Sequence, residues 1–392
     1  MGGFAVGQKT EILTGQGPLA PIILGLAWPV FLEQILVTLV QYVDTAMVGS
    51  LGATATAAIA INQAPIELIN GLMLGLGVGV TALVSRYVGA GEPEMVDRLV
   101  RQTVLLTLGA GTLLTGVFLL LSYRIPLWMG ADSALAHEAG TYLFLISASL
   151  LFRTASTLFT AVYRGMGNTV TPLKVNLVVN LLNVIGNFLL IYPTRTVLVA
   201  GQALTLWGAG WGVAGAALSS TLSVVVGGVL LFGLAFSRHS PMPIRFQGGF
   251  RPDLPLLRRT WGISLPTILE RSVMSLGRIF VTSIITGLGT LSLAAHHLVV
   301  TSESLSYMPS FAFSVAATTL VGQCLGAGRR ELAQRYSNVT LVIAVLTMAA
   351  AGAGLFFGAD LLVGLFSTDP EVLGLSAACL RLMAVFEPVQ VI

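Results

Sequence analysis

Stretches of 20 or more apolar residues follow one another along this chain, separated by short polar segments and with no sustained period-two alternation. Such a pattern reads as transmembrane helices rather than strands, because about 20 apolar residues wound as a helix cross about 30 Å of hydrocarbon. Ten spans are predicted, at about 21–47, 55–86, 98–121, 137–160, 172–192, 210–236, 256–286, 292–323, 336–357 and 371–391. The second and eighth are long enough that tilt, or a start in the interface, is expected. The longest polar segment, 237–255, holds Pro241, Pro243, Gly248, Gly249, Pro252 and Pro255 and reads as a linker.

The pattern also repeats. Pro29–Arg98 aligns without a gap on Pro266–Arg335, at a constant offset of 237, with 19 identities in 70 positions. They include Pro29/Pro266, Glu33/Glu270, Leu51-Gly52/Leu288-Gly289, Gly89-Ala90-Gly91/Gly326-Ala327-Gly328, Glu94/Glu331 and Arg98/Arg335. Shared Ala and Leu are cheap in an apolar chain, but an unbroken register that keeps charged residues is not. An even number of spans precedes the second copy, so the repeats run parallel, related by an axis along the membrane normal. The expected organisation is a first lobe at 1–236, a cytoplasmic linker at 237–255 and a second lobe at 256–392. Position 392 corresponds to 155, so the second lobe is expected to be incomplete, with ten of twelve helices in this chain and the counterparts of the fifth and sixth beyond it.

Composition agrees with that class. The 392 residues are 55% hydrophobic and 9% charged, against about 25% charged in soluble domains. Charge location says more than the net +3. With a cytoplasmic N-terminus, fourteen basic residues fall in or beside inner segments and two, Arg124 and Arg195, in outer ones, as the positive-inside rule requires. Residues 1–20 carry no cleavable signal pattern, so the first span is expected to be the insertion signal. Cys324 and Cys379 lie in apolar surroundings and point to neither a disulfide framework nor a metal site.

Candidate chemistry is sparse. Asp44 sits in the first apolar span, where an acid costs at least about 2.5–3.5 kcal/mol and is a functional-site hypothesis by default. The second copy has Val281 there. Eleven residues separate Asp44 from Glu33, close to three whole turns, so both face one way about 16 Å apart. The fifth span carries Asn176, Asn180, Asn183 and Asn187, the last two one turn apart. A carboxylate with amide oxygens nearby suits a proton or Na⁺; the alternative is that these Asn residues only hydrogen-bond neighbouring helices. Pro29 and Pro266 each free a backbone carbonyl, permitting a helix bend or a static kink. Glu33, Glu67 and Glu303 are candidates to line a cavity or to pair between helices. His296 and His297, adjacent on a helix, diverge by about 100° and disfavour a metal clamp. Gly75, Gly77 and Gly79 lie mid-span with no following Lys-Ser/Thr, so they are not a phosphate loop. No nucleotide-binding motif, Ser/His/Asp set or nucleic-acid surface is visible.

Val43-Asp44-Thr45-Ala-Met-Val-Gly49 with Leu51-Gly52, Ala57-Ala58 and Gly89-Ala90-Gly91 resembles the multidrug and toxic compound extrusion (MATE) family. So do Arg164-Gly165-Met-Gly167-Asn168-Thr169, where the family usually has Asp at the Asn168 position, and Gly208-Ala-Gly-Trp-Gly212-Val-Ala-Gly215. In the second half Leu293-Ala-Ala-His296-His297 and Glu303-Ser-Leu-Ser-Tyr-Met-Pro309 are similar to bacterial members. The resemblance implies twelve helices in two six-helix lobes, a V-shaped cavity and cation-coupled export of organic compounds. It implies a first-lobe cation site at Asp44 with Asn183 and Asn187; proton-coupled members tend to have Asp at the Asn187 position, which leaves H⁺ and Na⁺ both open. Glu387-Pro-Val-Gln-Val391 is similar to the helix 10 segment where Na⁺-coupled members carry an acid, making Glu387 with Glu270 a candidate second site. The family's separate helix 7 acid is not matched: that position is Met274.

The expected protein is therefore an all-α polytopic membrane protein and not an enzyme, without cofactor beyond the coupling ion, monomeric in the cell's inner or plasma membrane. Its expected partners are organic substrates and membrane lipids rather than nucleic acid. The expected function is a secondary active antiporter exporting amphipathic or cationic compounds against H⁺ or Na⁺. A lipid-linked oligosaccharide flippase of the same superfamily, a membrane enzyme acting on lipids and a channel are the alternatives.

Overall fold

The structure, a computed structural model, describes residue 15 and residues 17–199, 202–237, 249–364 and 369–391. Every predicted span falls on helix. In chain order these are α1 (Leu19–Gly49), α2 (Ala53–Ala60), α3 (Gln63–Ala90), α4 (Pro93–Leu121), α5 (Ile125–Trp128), α6 (Ser133–Ala148), α7 (Leu150–Gly165), α8 (Val170–Leu190) and α9 (Gly212–Phe236). They continue as α10 (Leu254–Gly287), α11 (Thr290–Gly326), α12 (Arg330–Phe357), α13 (Ala359–Gly364) and α14 (Pro370–Phe386), with a 3₁₀ turn at Glu387–Val391. Among the described residues eight helical stretches are long and apolar enough to cross a membrane, and a ninth is the bent pair α6–α7.

Three departures from the predicted pattern have local causes. The fourth span is broken at Ser149, with a 48° bend; Ser149 Oγ donates to the Ile146 carbonyl there, a side chain competing with the helix ladder. The seventh span is a continuous helix, α10, but is absent from the eight: Arg258, Arg259, Glu270, Arg271 and Arg278 dilute its hydropathy. Between the fifth and sixth spans the chain forms a hairpin, β1 (Pro193–Val199) against β2 (Gln202–Ala209), with Val199 paired to Gln202. Of the expected linker at 237–255, residues 238–248 lie outside the described residues.

The sequence repeat is a backbone repeat. Gly52 and Gly289, which precede α2 and α11, have φ 113° and 103°, and Gly91 and Gly328 have φ 72° and 74°. A side chain is strained at such angles, which is why these glycines survive in both copies. The preserved Glu94 and Glu331 each lie in the first turn of α4 and α12, where the helix dipole favours an acid.

The chain divides into two compact units. The Asp44 unit comprises Glu33–Val84 and Glu92–Ile268; the Glu387 unit comprises Met1–Leu32, Ser85–Gly91 and Leu269–Ile392. Thus α1 passes from one unit to the other between Leu32 and Glu33, and α10 between Ile268 and Leu269, each just beyond its internal proline. Both prolines follow a glycine four residues earlier, Gly25 and Gly262, the position whose carbonyl meets the proline ring.

Within the Glu387 unit, Ile23, Leu26, Ala27 and Val30 of α1 pack with Phe313, Ala316 and Leu320 of α11 and Tyr336 of α12 in one buried cluster. The ends of α3 and α11 cross there backbone to backbone. A Cβ on Gly89 would lie 1.9 Å from the Gln323 carbonyl, and one on Gly326 would lie 1.9 Å from the Arg86 carbonyl. Gly89 and Gly326 are repeat equivalents, as are Arg86 and Gln323, so the crossing is symmetric about the axis relating the repeats. Within the Asp44 unit, α8 packs on α9 by a similar device: a Cβ on Gly215 would meet the Leu190 carbonyl at 2.4 Å.

Candidate functional site

In the Asp44 unit, α1 and α8 lie side by side. Asn187 Nδ2 donates to Asp44 Oδ1 at 2.5 Å, and Asn176 Nδ2 donates to Glu33 Oε1 at 2.6 Å. Both bonds join residues 143 apart, so the two helices run in the same direction in fixed register. The expectation that Glu33 and Asp44 share a face holds, and the face is the one turned to the Asn row. In that register Asn180 stands opposite Val37, and among the described residues its Nδ2, buried, has no hydrogen-bond partner.

Asp44 is half-buried, Asn183 buried and Asn187 fully buried. With its amide nitrogen toward Asp44, Asn183 donates to Oδ1 at 2.9 Å and Oδ2 at 3.3 Å, while its oxygen accepts from Ser220 Oγ at 3.0 Å. An ionised carboxylate only accepts hydrogen bonds, so two amide donors suit charged Asp44. Among the described residues Asn187 Oδ1 is buried without a hydrogen-bond partner, an oxygen free for an ion. Ser219 Oγ fixes the Asn183 backbone by donating to its carbonyl at 2.8 Å.

Glu33 is buried, and Arg164 Nη2 donates to its Oε2 at 2.9 Å while Asn176 holds the other oxygen. A carboxylate in a dry interior needs that pairing. Glu67, by contrast, is exposed and close enough to Arg153 to act on it electrostatically. In the Glu387 unit Glu303 is half-buried, with Ser306 Oγ donating to its carbonyl at 3.1 Å. Glu387 is fully buried with Ser306 beside its carboxyl, whereas Glu270 is exposed. Arg271 donates to Tyr307 Oη at 3.0 Å and Arg381 pairs with Asp360 at 2.5 Å, rather than with Glu270 or Glu387.

The residues that sequence reasoning missed are Ser219, Ser220, Arg164 as the partner of Glu33, and Tyr192. Arg164 carried a signal, since a buried acid implies a cation nearby; the serines and Tyr192 did not stand out from many others.

Apolar helices long enough to span a bilayer, with a carboxylate seated among amides and a buried ion pair on the same helix, have the construction of a membrane transporter. The MatE family profile matches residues 29–189 and 266–392, and the chain belongs to that family. The probable multidrug resistance protein NorM of Thermotoga maritima is 26% identical over 362 residues, 92% of this chain and 75% of that protein. The multidrug resistance protein MdtK of Yersinia pestis is 27% identical over 373 residues, 93% of this chain and 78% of that protein. The crystal structure of a MATE protein in complex with MaD3S superposes with a TM-score of 0.87 at 22% identity, covering 97% of this chain and 81% of that one. A MOP-superfamily transporter from Pyrococcus furiosus superposes with a TM-score of 0.86 at 22% identity and the same coverage. The fold is thus the two-lobe helical fold of MATE transporters, and the chain is an integral membrane protein.

Proposed function

We propose that this chain is a secondary active antiporter that exports amphipathic or cationic organic compounds in exchange for inward H⁺ or Na⁺, with Asp44, Asn183 and Asn187 as the ion site. The carrying observation is the Asp44 carboxylate, held inside a membrane span by the Asn187 amide and within reach of the Asn183 amide. Family membership and relatives named for multidrug resistance support the export reading. An ion bound at Asp44 changes the charge facing α8. Coupling requires that ion and substrate favour different conformations, and α1 has a break in its hydrogen-bond ladder at Pro29, where it leaves one unit for the other. Pro266 in α10 is the equivalent hinge. Glu387, buried in the other unit, is with Glu270 the candidate for a second ion position. The N-terminus is cytoplasmic in this reading and the protein sits in the inner membrane as a monomer.

The test is efflux of a fluorescent cationic dye from proteoliposomes under an imposed pH or Na⁺ gradient. Uphill dye movement driven by one of these gradients is expected; downhill, gradient-independent flux refutes the antiporter reading. A flippase for anionic lipid-linked sugars needs a more cationic lining than the four intramembrane arginines Arg153, Arg271, Arg278 and Arg381 supply, of which Arg381 is paired with Asp360.

A further inference from the structure

At the end of α1 the helical ladder changes step. Leu51 N–H bonds the Val48 carbonyl rather than that of Met47, in a tightened last turn. That leaves the Met47 carbonyl to side chains, as helix ends require. Two hydroxyls take it: Ser50 Oγ donates at 2.6 Å and Tyr192 Oη at 3.1 Å, and the two hydroxyls lie 2.9 Å from each other. Met47 is one turn beyond Asp44, and Tyr192 is five residues beyond Asn187.

Tyr192 is built in from every side. It opens the hairpin segment, and its carbonyl accepts from Gly210 N–H at 3.0 Å while Trp211 and Gly212 N–H bond the Leu190 and Ile191 carbonyls at 2.9 and 3.1 Å. Gly210 and Gly212 have φ 69° and 55°, the turn that brings these donors round. The Arg195 guanidinium lies 4.0 Å from the centre of the Tyr192 ring and 4.1 Å from that of Phe188. The ring also packs on the buried cluster of Val48, Ala55, Ile191, Val213 and Ala216. A hydroxyl held this firmly restrains the strand of backbone that it touches.

We propose that Tyr192 is a latch on α1: its hydroxyl pins the last turn to the hairpin and so keeps Asp44 seated against Asn183 and Asn187. The proposal rests on Asp44 being the coupling site, and makes Tyr192 a positioning residue for ion binding. The hairpin is then a rigid bracket, and the Tyr192–Met47–Ser50 contact is what opens when the end of α1 moves.

The test uses the chain with Cys379→Ser and Val48→Cys, since Val48 is 2% exposed and lies between Met47 and the end of α1. Tyr192→Phe removes only the hydroxyl, keeping the ring, the Arg195 stacking and the backbone bonds, and Ser50→Ala is the second variant. Each is expected to speed thiol labelling at position 48 about three- to tenfold, the worth of one hydrogen bond, and the pair less than the product of the two. In proteoliposomes the ion concentration for half-maximal efflux is expected to rise by a similar factor. Unchanged labelling overturns the latch. Faster labelling with an unchanged ion requirement overturns its positioning of Asp44. Asp44→Asn measured beside them reports on the coupling site separately, because normal uphill export by that variant refutes the ion-site reading whatever the labelling shows.

Discussion

Asn187 donates to Asp44 across 143 residues of sequence, and Asn176 donates to Glu33 across the same interval. Two bonds at one offset, 11 residues apart on each helix, make α1 beyond Pro29 and α8 a single parallel pair. The lower bond belongs to a closed ion pair and the upper one to an acid flanked by two amides. One helix thus carries a structural acid and a candidate working acid three turns apart.

Asp44→Asn preserves size and a hydrogen-bonding carbonyl but cannot titrate. The variant is expected to express, fold and bind substrate, and to lose gradient-driven export. Dye efflux against its gradient and substrate binding to purified protein are the measurements. Normal uphill efflux removes Asp44 from the mechanism.

Glu33 and Arg164 predict a different pattern. Removing one member of a buried pair strands the other charge and costs about 3–5 kcal/mol, while replacing both by apolar residues is often nearly neutral. Arg164→Met alone is therefore expected to unfold at markedly lower temperature, and Glu33→Leu with Arg164→Met to recover most of the loss. Thermal unfolding in detergent separates these. A double variant as unstable as the single one shows that Arg164 acts through something other than Glu33.

Asn183 and Asn187 share Asp44, and hydrogen bonds to charged groups are worth about 1.5–3 kcal/mol, so Asn187→Leu is expected to shift the ion requirement at least about tenfold. Asn183→Leu removes the second amide donor to Asp44 and is expected to act as strongly. Half-saturation for the driving ion, measured by efflux rate, is the readout. An Asn183→Leu variant with wild-type ion dependence removes Asn183 from the ion site.

Much of the site was legible in sequence because membranes penalise polar groups: Asp44 and the Asn row stood out against apolar neighbours. The shared face of Glu33 and Asp44 followed from helix geometry alone. What did not follow was partner choice. Glu33 resembled a cavity acid until Arg164, 131 residues away, closed on it. Tyr192 and Ser220 are ordinary residues made important by three-dimensional proximity. The hairpin is not legible in the sequence because β1 and β2 lie in the short connection between two strongly apolar spans. The Ser149 break was hidden since the apolar run continues through it, and periodicity does not register a 48° bend.

The glycine crossing yields the last prediction. Gly89 and Gly326 occupy equivalent places in the two repeats, and each faces a carbonyl of the other helix so closely that a methyl group would lie 1.9 Å from its oxygen. Nothing flexible is there to yield, because the obstructing atoms are backbone. Gly89→Ala and Gly326→Ala are each expected to force α3 and α11 apart, at a cost of at least about 1–3 kcal/mol for overpacking. By the symmetry of the crossing the two substitutions should be similarly harmful, and the double variant should lose less than the sum, since the first already separates the helices. Gly109→Ala is the control: a Cβ there meets nothing within 4 Å, and a helical glycine replaced by alanine gains up to about 1 kcal/mol. Yield of monodisperse protein and its unfolding temperature are the measurements. If Gly89→Ala is tolerated as well as Gly109→Ala, the two helices do not cross at these glycines. If Gly89→Ala is harmful and Gly326→Ala is not, the contact is real but the crossing lacks the two-fold symmetry that the repeats impose.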